Sequence, residues 1–278
     1  MTDIIREYYN KNSKNEWLRL NDPYNRLELF STMYMIKEYF PQKGKILDIG
    51  SGPGRYSIEL LKRGYEVSLM DLSEKSIDMA KNNIESMGLK ANDYICGDAL
   101  YLDFIKDNTF DGILLMGPMY HVKSKEDRIR ILENCMRILK PGGIILIAYI
   151  NSLGVLKVGL SDFPQEYKDI NKIYDLFDEK GFSEEESFTE TYFTVPEKAI
   201  SEVNEVGFNI LSRAGTESFL SGQAFYMTKY YLEDKEIYFN LLKVATEKCE
   251  DERFRDSTEH LIIVAKKRSE EHTSELQS

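Results

Sequence analysis

Residues 45–56 read Lys-Ile-Leu-Asp-Ile-Gly-Ser-Gly-Pro-Gly-Arg-Tyr, an apolar run that empties directly into Gly50, Gly52 and Gly54. A strand, a glycine turn and a helix in immediate succession let backbone approach a nucleoside-type ligand closely, because glycine supplies positive φ and no Cβ. The spacing is G-x-G-x-G. In the G-x-G-x-x-G turn of dinucleotide-binding folds the third glycine would fall on Arg55, so a hydride-transfer enzyme is disfavoured.

From 45 to 149 short apolar runs alternate with segments of helical period, the pattern of parallel strands joined by crossover helices. Strands are expected at 46–49, 66–70, 94–96, 110–116 and 144–149. A helix is expected at 55–63, with Gly64 as its stop. Ser73 is a suitable N-cap for the next, in which Ile77, Ala80, Ile84 and Met87 share a face, and Ser124-x-x-Asp127 resembles a capping box. The pattern predicts a Rossmann-like, doubly wound α/β fold. Further on, a helix opens at Pro196, a strand follows at 208–211, the last helix covers 233–250 and the last strand 261–265.

The 45 residues at 151–195 are too many for an ordinary connection and read as a lid insertion, with Tyr167, Ile170, Ile173, Tyr174 and Phe177 on one helix face. With Tyr192 and Phe193 they suggest an apolar chamber. Residues 3–20 and 24–40 read as two tyrosine-rich helices. The expected organisation is an N-terminal helical cap at 1–40, a ligand-binding domain at 41–150 and 196–267, and the lid between its two parts. Residues 268–278 look like the translation of a sequencing adapter, which removes His272 from consideration and leaves His121 and His260.

The tail carries one Arg and three Glu, so the formal charge without it is −9 rather than −11. An acidic balance makes a nucleic-acid partner unlikely, since a phosphate backbone needs a basic surface. Cys96, Cys135 and Cys249 are widely separated and odd in number, as in a cytoplasmic protein with reduced thiols and no zinc site. The longest apolar run, 144–150, is too short to span a bilayer, and no signal peptide or membrane partner is expected.

In an open parallel sheet the ligand lies beyond the carboxyl ends of the strands, where three aspartates fall. Asp48 can hold the glycine turn or face a cationic ligand through water. Asp71, some twenty residues on, is placed to accept hydrogen bonds from a ribose diol, and Asp98 can accept one from an adenine amine. Taken together, the D-x-G-x-G-x-G run at 48–54, Asp71, Gly97-Asp98-Ala99, Phe110-Asp111 and Leu139-Lys-Pro-Gly-Gly resemble class I S-adenosylmethionine-dependent methyltransferases. The resemblance is close over 45–150 and loose over 195–266. It implies a seven-stranded sheet whose last strand is antiparallel. It also implies that Gly50, Ser51, Gly52 and Gly54 pass under the methionine and sugar of S-adenosylmethionine, that Asp71 holds the ribose, and that Asp98 and Ala99 meet adenine. Leu72 and Met116 would supply apolar walls.

Methyl transfer from a sulfonium needs positioning more than acid–base help, so the absence of a triad is no obstacle. Where the acceptor must lose a proton, His121 in Met116-Gly-Pro-Met-Tyr-His121 is the candidate base, and Tyr120 shares the position. Either could instead shape the pocket. The 117–120 run is distantly similar to the Asn/Asp-Pro-Pro-Tyr motif of amino-directed nucleic-acid methyltransferases, but departs from it at the amide-binding position. The resemblance implies that Tyr8, Tyr9, Trp17 and Arg19 fold over the cofactor mouth, the alternative being that the aromatics attach the first helix to the core; Arg19 is a candidate partner for the cofactor carboxylate, with Arg55 its competitor. The expectation is a methyltransferase for a small-molecule acceptor. Its rivals are a tRNA methyltransferase and a non-catalytic S-adenosylmethionine-binding protein.

Overall fold

The computed structural model describes residues 2–269; most of the adapter-like tail, including His272, lies outside the described residues. The elements follow in the order α1 (Thr2–Arg19), α2 (Arg26–Tyr39), β1 (Lys45–Ile49), α3 (Arg55–Lys62), β2 (Glu66–Asp71), α4 (Glu74–Ser86), β3 (Asp93–Cys96), β4 (Phe110–Leu115), α5 (Lys125–Ile138) and β5 (Leu139–Asn151). The chain continues through α6 (Ser152–Asp162), α7 (Ile170–Asp175), β6 (Lys180–Phe182), β7 (Thr191–Thr194), α8 (Pro196–Glu205), β8 (Asn209–Gly215), α9 (Ala224–Glu233), α10 (Lys235–Glu247) and β9 (His260–Lys266). No described helix is long and apolar enough to cross a membrane.

The strands β3, β2, β1, β4 and β5 are parallel neighbours, and β9 lies antiparallel to β5 from Ile144↔Lys266 to Ile150↔His260. β8 then pairs antiparallel with β9. The seven strands and antiparallel last strand implied by the resemblance are therefore present. The sheet nevertheless has nine strands, because the hairpin of β6 and β7 joins the end of β5 at Ile150↔Phe193 and Asn151↔Thr194. That hairpin replaces part of the expected helical lid: Thr191–Thr194 is too short and too β-branched to continue a helix.

Strand alternation divides the core into two layers. Ile46, Val67, Leu69, Leu114, Leu146, Ile262 and Val264 face α2, α3 and α4, whereas Leu47, Ile49, Ile113, Leu115, Ile147, Leu261 and Ile263 face α5 and α8. α2 packs into the core, with Met35 and Ile36 fully buried on the sheet. Its other side is covered by α9 and α10 through Leu27, Met227, Tyr238 and Leu242. Sequence periodicity missed α9, whose buried face is masked in the sequence by exposed aromatics such as Phe225 and Tyr226.

Candidate active site

The chain turns from β1 into α3 with Gly50, Gly52 and Gly54 all at positive φ, of 77°, 51° and 85°. Each glycine has a separate reason. A Cβ on Gly50 would lie 2.9 Å from the Met116 carbonyl oxygen, and one on Gly54 would lie 3.1 Å from Ala80 Cβ, where α3 and α4 pack. Gly52 has nothing within 4 Å of that position and faces open space. The backbone N–H groups of Gly50 and Ser51 both donate to the Met70 carbonyl, at 2.8 and 3.1 Å, so the turn is tied to the end of β2.

Asp71 ends β2 and accepts from the Gly52 N–H at 2.8 Å with one oxygen and from the Ser73 N–H at 2.8 Å with the other. Burial raises its pKa to about 6 despite those two bonds. Each oxygen accepts one of these bonds and so retains a further lone pair. Asp98, after β3, accepts from Leu100 N–H at 3.0 Å and from the Thr2 hydroxyl at 3.5 Å.

A single cavity of about 730 Å³ runs over these strand ends, within the size class of small-molecule sites. Gly50, Ser51, Gly52, Asp71, Leu72, Asp98, Ala99, Met116, Tyr120, His121 and Arg19 all line it. Asp48 and Gly54 do not. Asp48 is fully buried behind the turn, where it accepts from the Ser57 hydroxyl at 2.6 Å, and burial lifts its carboxyl to about 7. Asp48 thus ties the end of β1 to the first turn of α3.

Helix α1 closes the cavity from above. Asn10 Oδ1 accepts from the Ser73 hydroxyl at 2.7 Å and from Lys75 N–H at 3.2 Å, fastening α1 to the start of α4. Arg55 donates to the Trp17 carbonyl at 2.6 Å and to Asn21 Oδ1 at 3.0 Å while its guanidinium stacks 3.8 Å from the Trp17 ring centroid. Arg55 thus serves the helix. Arg19 forms a forked pair with Glu28 of α2 and donates from Nε to Glu16 at 3.2 Å. Although burial opposes it, the Arg19 charge with its hydrogen bonds holds the Glu28 carboxyl down at about 2.

His121 lies beyond β4 with both nitrogens engaged: Nδ1 is 2.8 Å from the Glu190 carbonyl oxygen and Nε2 is 2.7 Å from the Tyr9 hydroxyl. A carbonyl only accepts, so Nδ1 carries the proton and Nε2 accepts from Tyr9. Burial pushes the imidazole down to about 4. His121 is neutral at physiological pH with its lone pair already occupied. Burial likewise raises the Tyr120 phenol, whose ring packs against His121 at 4.8 Å between centroids.

The loop after His121 is held by Arg128, which is 1% exposed. Its Nη1 donates to the carbonyls of Val122 and Lys123 at 3.0 and 2.8 Å, its Nε and Nη2 pair with Glu202 of α8, and Tyr192 stacks on its guanidinium at 3.6 Å. Tyr192 therefore braces the site from behind and does not line the expected chamber. Ile170, Tyr174 and Phe177 are largely exposed and lie off the cavity as well. From residues 151–195 only Phe188 lines the cavity, packed on Tyr8 and His121.

Sequence reasoning passed over the deep end of the cavity, where Glu28, Tyr56, Thr216 and His260 converge. Tyr56 donates to Glu28 at 3.0 Å, and His260 Nδ1 lies 2.7 Å from Glu217 Oε1. An acidic residue inside the apolar run Leu27-Glu28-Leu29-Phe30 was the available signal, because a buried carboxylate requires partners.

Residues 46–143 match the family model of a methyltransferase domain. Over 152 residues the chain is 34% identical to the ubiquinone biosynthesis O-methyltransferase of Coxiella burnetii, covering 54% of this chain and 59% of that protein. It thus spans somewhat over half the length of that relative. The tRNA 5-carboxymethoxyuridine methyltransferase of Escherichia coli K12 is 25% identical over 238 residues, 84% of each chain. Among solved structures, the 1,6-didemethyltoxoflavin-N1-methyltransferase of Burkholderia thailandensis, with S-adenosylhomocysteine bound, superposes with a TM-score of 0.59 at 14% identity, covering 96% of this chain and 88% of that one. That likeness concerns the fold. With the glycine turn, Asp71 and the strand order in place, residues 46–143 form a methyltransferase domain with the features of class I S-adenosylmethionine-dependent enzymes.

Proposed function

We propose that this protein transfers a methyl group from S-adenosylmethionine to a small-molecule acceptor held between the carboxyl end of β4 and the deep polar end of the cavity. The observation that carries the cofactor assignment is the Gly52–Asp71 contact, because it places an acidic strand end beside a glycine whose side-chain direction is empty. Those residues fit the cofactor: Gly50–Gly52 would lie against its methionine and sugar, Asp71 would accept from the ribose diol, and Asp98 with Ala99 would meet the adenine. The bound cofactor supplies an electrophilic methyl on a positively charged sulfur.

The protein's own part is to orient and to exclude water. α1 roofs the cavity through Ile5, Tyr8 and Tyr9, and Phe188 closes the side. His121 fits a positioning role better than that of a base, since its free lone pair is spent on Tyr9 and burial keeps it neutral. This favours acceptors that bind already able to react, where catalysis rests on proximity.

Calorimetry tests the reading. S-adenosylhomocysteine is expected to bind the folded protein and to lose affinity with Asp71→Asn; no binding to a folded sample would sink it. A second reading, with tRNA as acceptor, draws on the relative from Escherichia coli that aligns over 84% of the chain. The acidic formal charge, −11 for the whole sequence and −9 without residues 268–278, weighs against it. RNA binding that falls steeply with salt would favour that reading over the first.

A further inference from the structure

The deep end of the cavity carries a polar arrangement that cofactor binding does not account for. His260, the first residue of β9, lines it together with Glu28 and Thr216. The buried Glu217 fixes the imidazole from behind: it accepts from Nδ1 at 2.7 Å, from the His260 backbone N–H at 3.2 Å and from the Thr216 hydroxyl at 2.6 Å. Against the opposing effect of burial, Glu217 and Glu28 hold His260 protonated up to about 9. Its Nε2–H is therefore a donor pointing away from Glu217. Among the described residues its partner on that side is Glu28 Oε2 at 3.9 Å, too far for a direct hydrogen bond.

At that separation one oxygen can bridge the charged donor and the charged acceptor from beside the line between them, at about 2.8 Å from each. The charges decide which oxygen. An ammonium placed there would face the cations of His260 and Arg19, and a carboxylate would face Glu28 and Glu217. A neutral hydroxyl accepts from His260 and donates to Glu28 without adding charge. Tyr56 and Tyr120 supply aromatic wall along the same cavity. His260 is paired with Ile150 at the end of β5, which β4 flanks on the other side. Two strand spacings, about 10 Å, thus separate it from the line of β4.

We propose that His260 and Glu28, with Glu217 as the positioning residue, form a hydroxyl clamp that holds the acceptor by the end remote from the atom that is methylated. The substrate class is then a flat, uncharged or weakly acidic molecule bearing a hydroxyl at that remote end. This rests on the methyltransferase reading for the location of the reacting atom, while the clamp itself is a binding site that can be measured without turnover.

The test is calorimetric titration of the full chain, with and without S-adenosylhomocysteine, using 2-naphthol, 2-naphthoate and 2-naphthylmethylamine as probes. The clamp predicts that 2-naphthol binds at least tenfold tighter than either charged probe. His260→Leu is expected to lose that tenfold preference, and His260→Gln, which retains a donor, to keep part of it. Should His260→Leu fail to fold, Glu28→Gln is expected to weaken the preference severalfold by replacing the charged acceptor with a neutral amide. In nitrogen-15 NMR of the imidazole, Glu217→Gln is expected to move the His260 titration down toward 6.5; an unchanged titration would remove Glu217 from the clamp. Absence of 2-naphthol binding, equal affinity for the three probes, or a preference that survives His260→Leu would overturn the proposal. Failure to bind S-adenosylhomocysteine would count against the cofactor reading alone, because the probe titrations stand independently of it.

Discussion

The Tyr9 hydroxyl donates across 2.7 Å to Nε2 of His121, joining the roof helix to the loop beyond β4. The histidine that the sequence offers as a base is thereby spent on holding α1. Because burial depresses its pKa to about 4, the fold favours the neutral imidazole. Its contribution to stability is present above the unfolded value, about 6.5, and declines as pH falls toward 4. Turnover is expected to show no inflection near 6.5 that disappears in His121→Gln. Tyr9→Phe is expected to lower stability by about 1–3 kcal/mol, the cost of leaving a buried acceptor unpaired, as read by urea unfolding.

Asp71 couples cofactor affinity to pH. Its carboxyl, raised to about 6 by burial, must be ionised to accept two hydroxyl bonds. Affinity for S-adenosylhomocysteine is expected to be level above about 6 and to fall up to tenfold per pH unit below it. At pH 7.5, Asp71→Asn is expected to weaken binding by about one to two orders of magnitude, corresponding to about 1.5–3 kcal/mol for hydrogen bonds to a charged group. Calorimetry across pH 5 to 8 checks both statements.

The glycines of the turn separate by cause. Gly50→Ala drives a Cβ against the Met116 carbonyl and Gly54→Ala drives one against Ala80, in addition to the positive φ. Each is expected to cost about 1–3 kcal/mol in thermal or urea unfolding. Gly52→Ala meets no neighbouring atom, so its steric effect is expected mainly on cofactor affinity, together with the strain of its φ of 51°.

Arg128 and Glu202 form a buried pair that joins α5 to α8 and fixes the carbonyls following His121. Removing one partner leaves an uncompensated charge in the interior. Glu202→Ala is expected to destabilise by about 3–5 kcal/mol, measured by urea unfolding. Arg128→Met with Glu202→Leu is expected to recover most of that loss while leaving the Val122 and Lys123 carbonyls without their donor.

His260 gives stability a dependence on alkaline pH. Its folded pKa of about 9 exceeds the unfolded value of about 6.5, so its contribution is fully present below 6.5 and is lost as pH rises through 9. The wild type is expected to lose more stability than His260→Gln between pH 7 and 9.5. Paired urea titrations at those two values provide the comparison.

What the sequence determined by itself was local. The glycine turn, Asp71, the Ser73 and Ser124 caps and the alternating strands are written in contiguous residues, because each expresses a backbone requirement within one turn or one strand. The same signals led to the cofactor family and to the antiparallel last strand that β9 provides. Only the tertiary structure decided the rest. Tyr9 meets His121 across 112 positions, Arg128 meets Glu202 across 74, and Glu28 shares the cavity floor with His260. No periodicity records such pairings, since a polar residue within an apolar face shows that it needs a partner but not which element brings one. The hairpin of β6 and β7 follows the same rule: its strands are too short to declare themselves until the end of β5 offers them an edge.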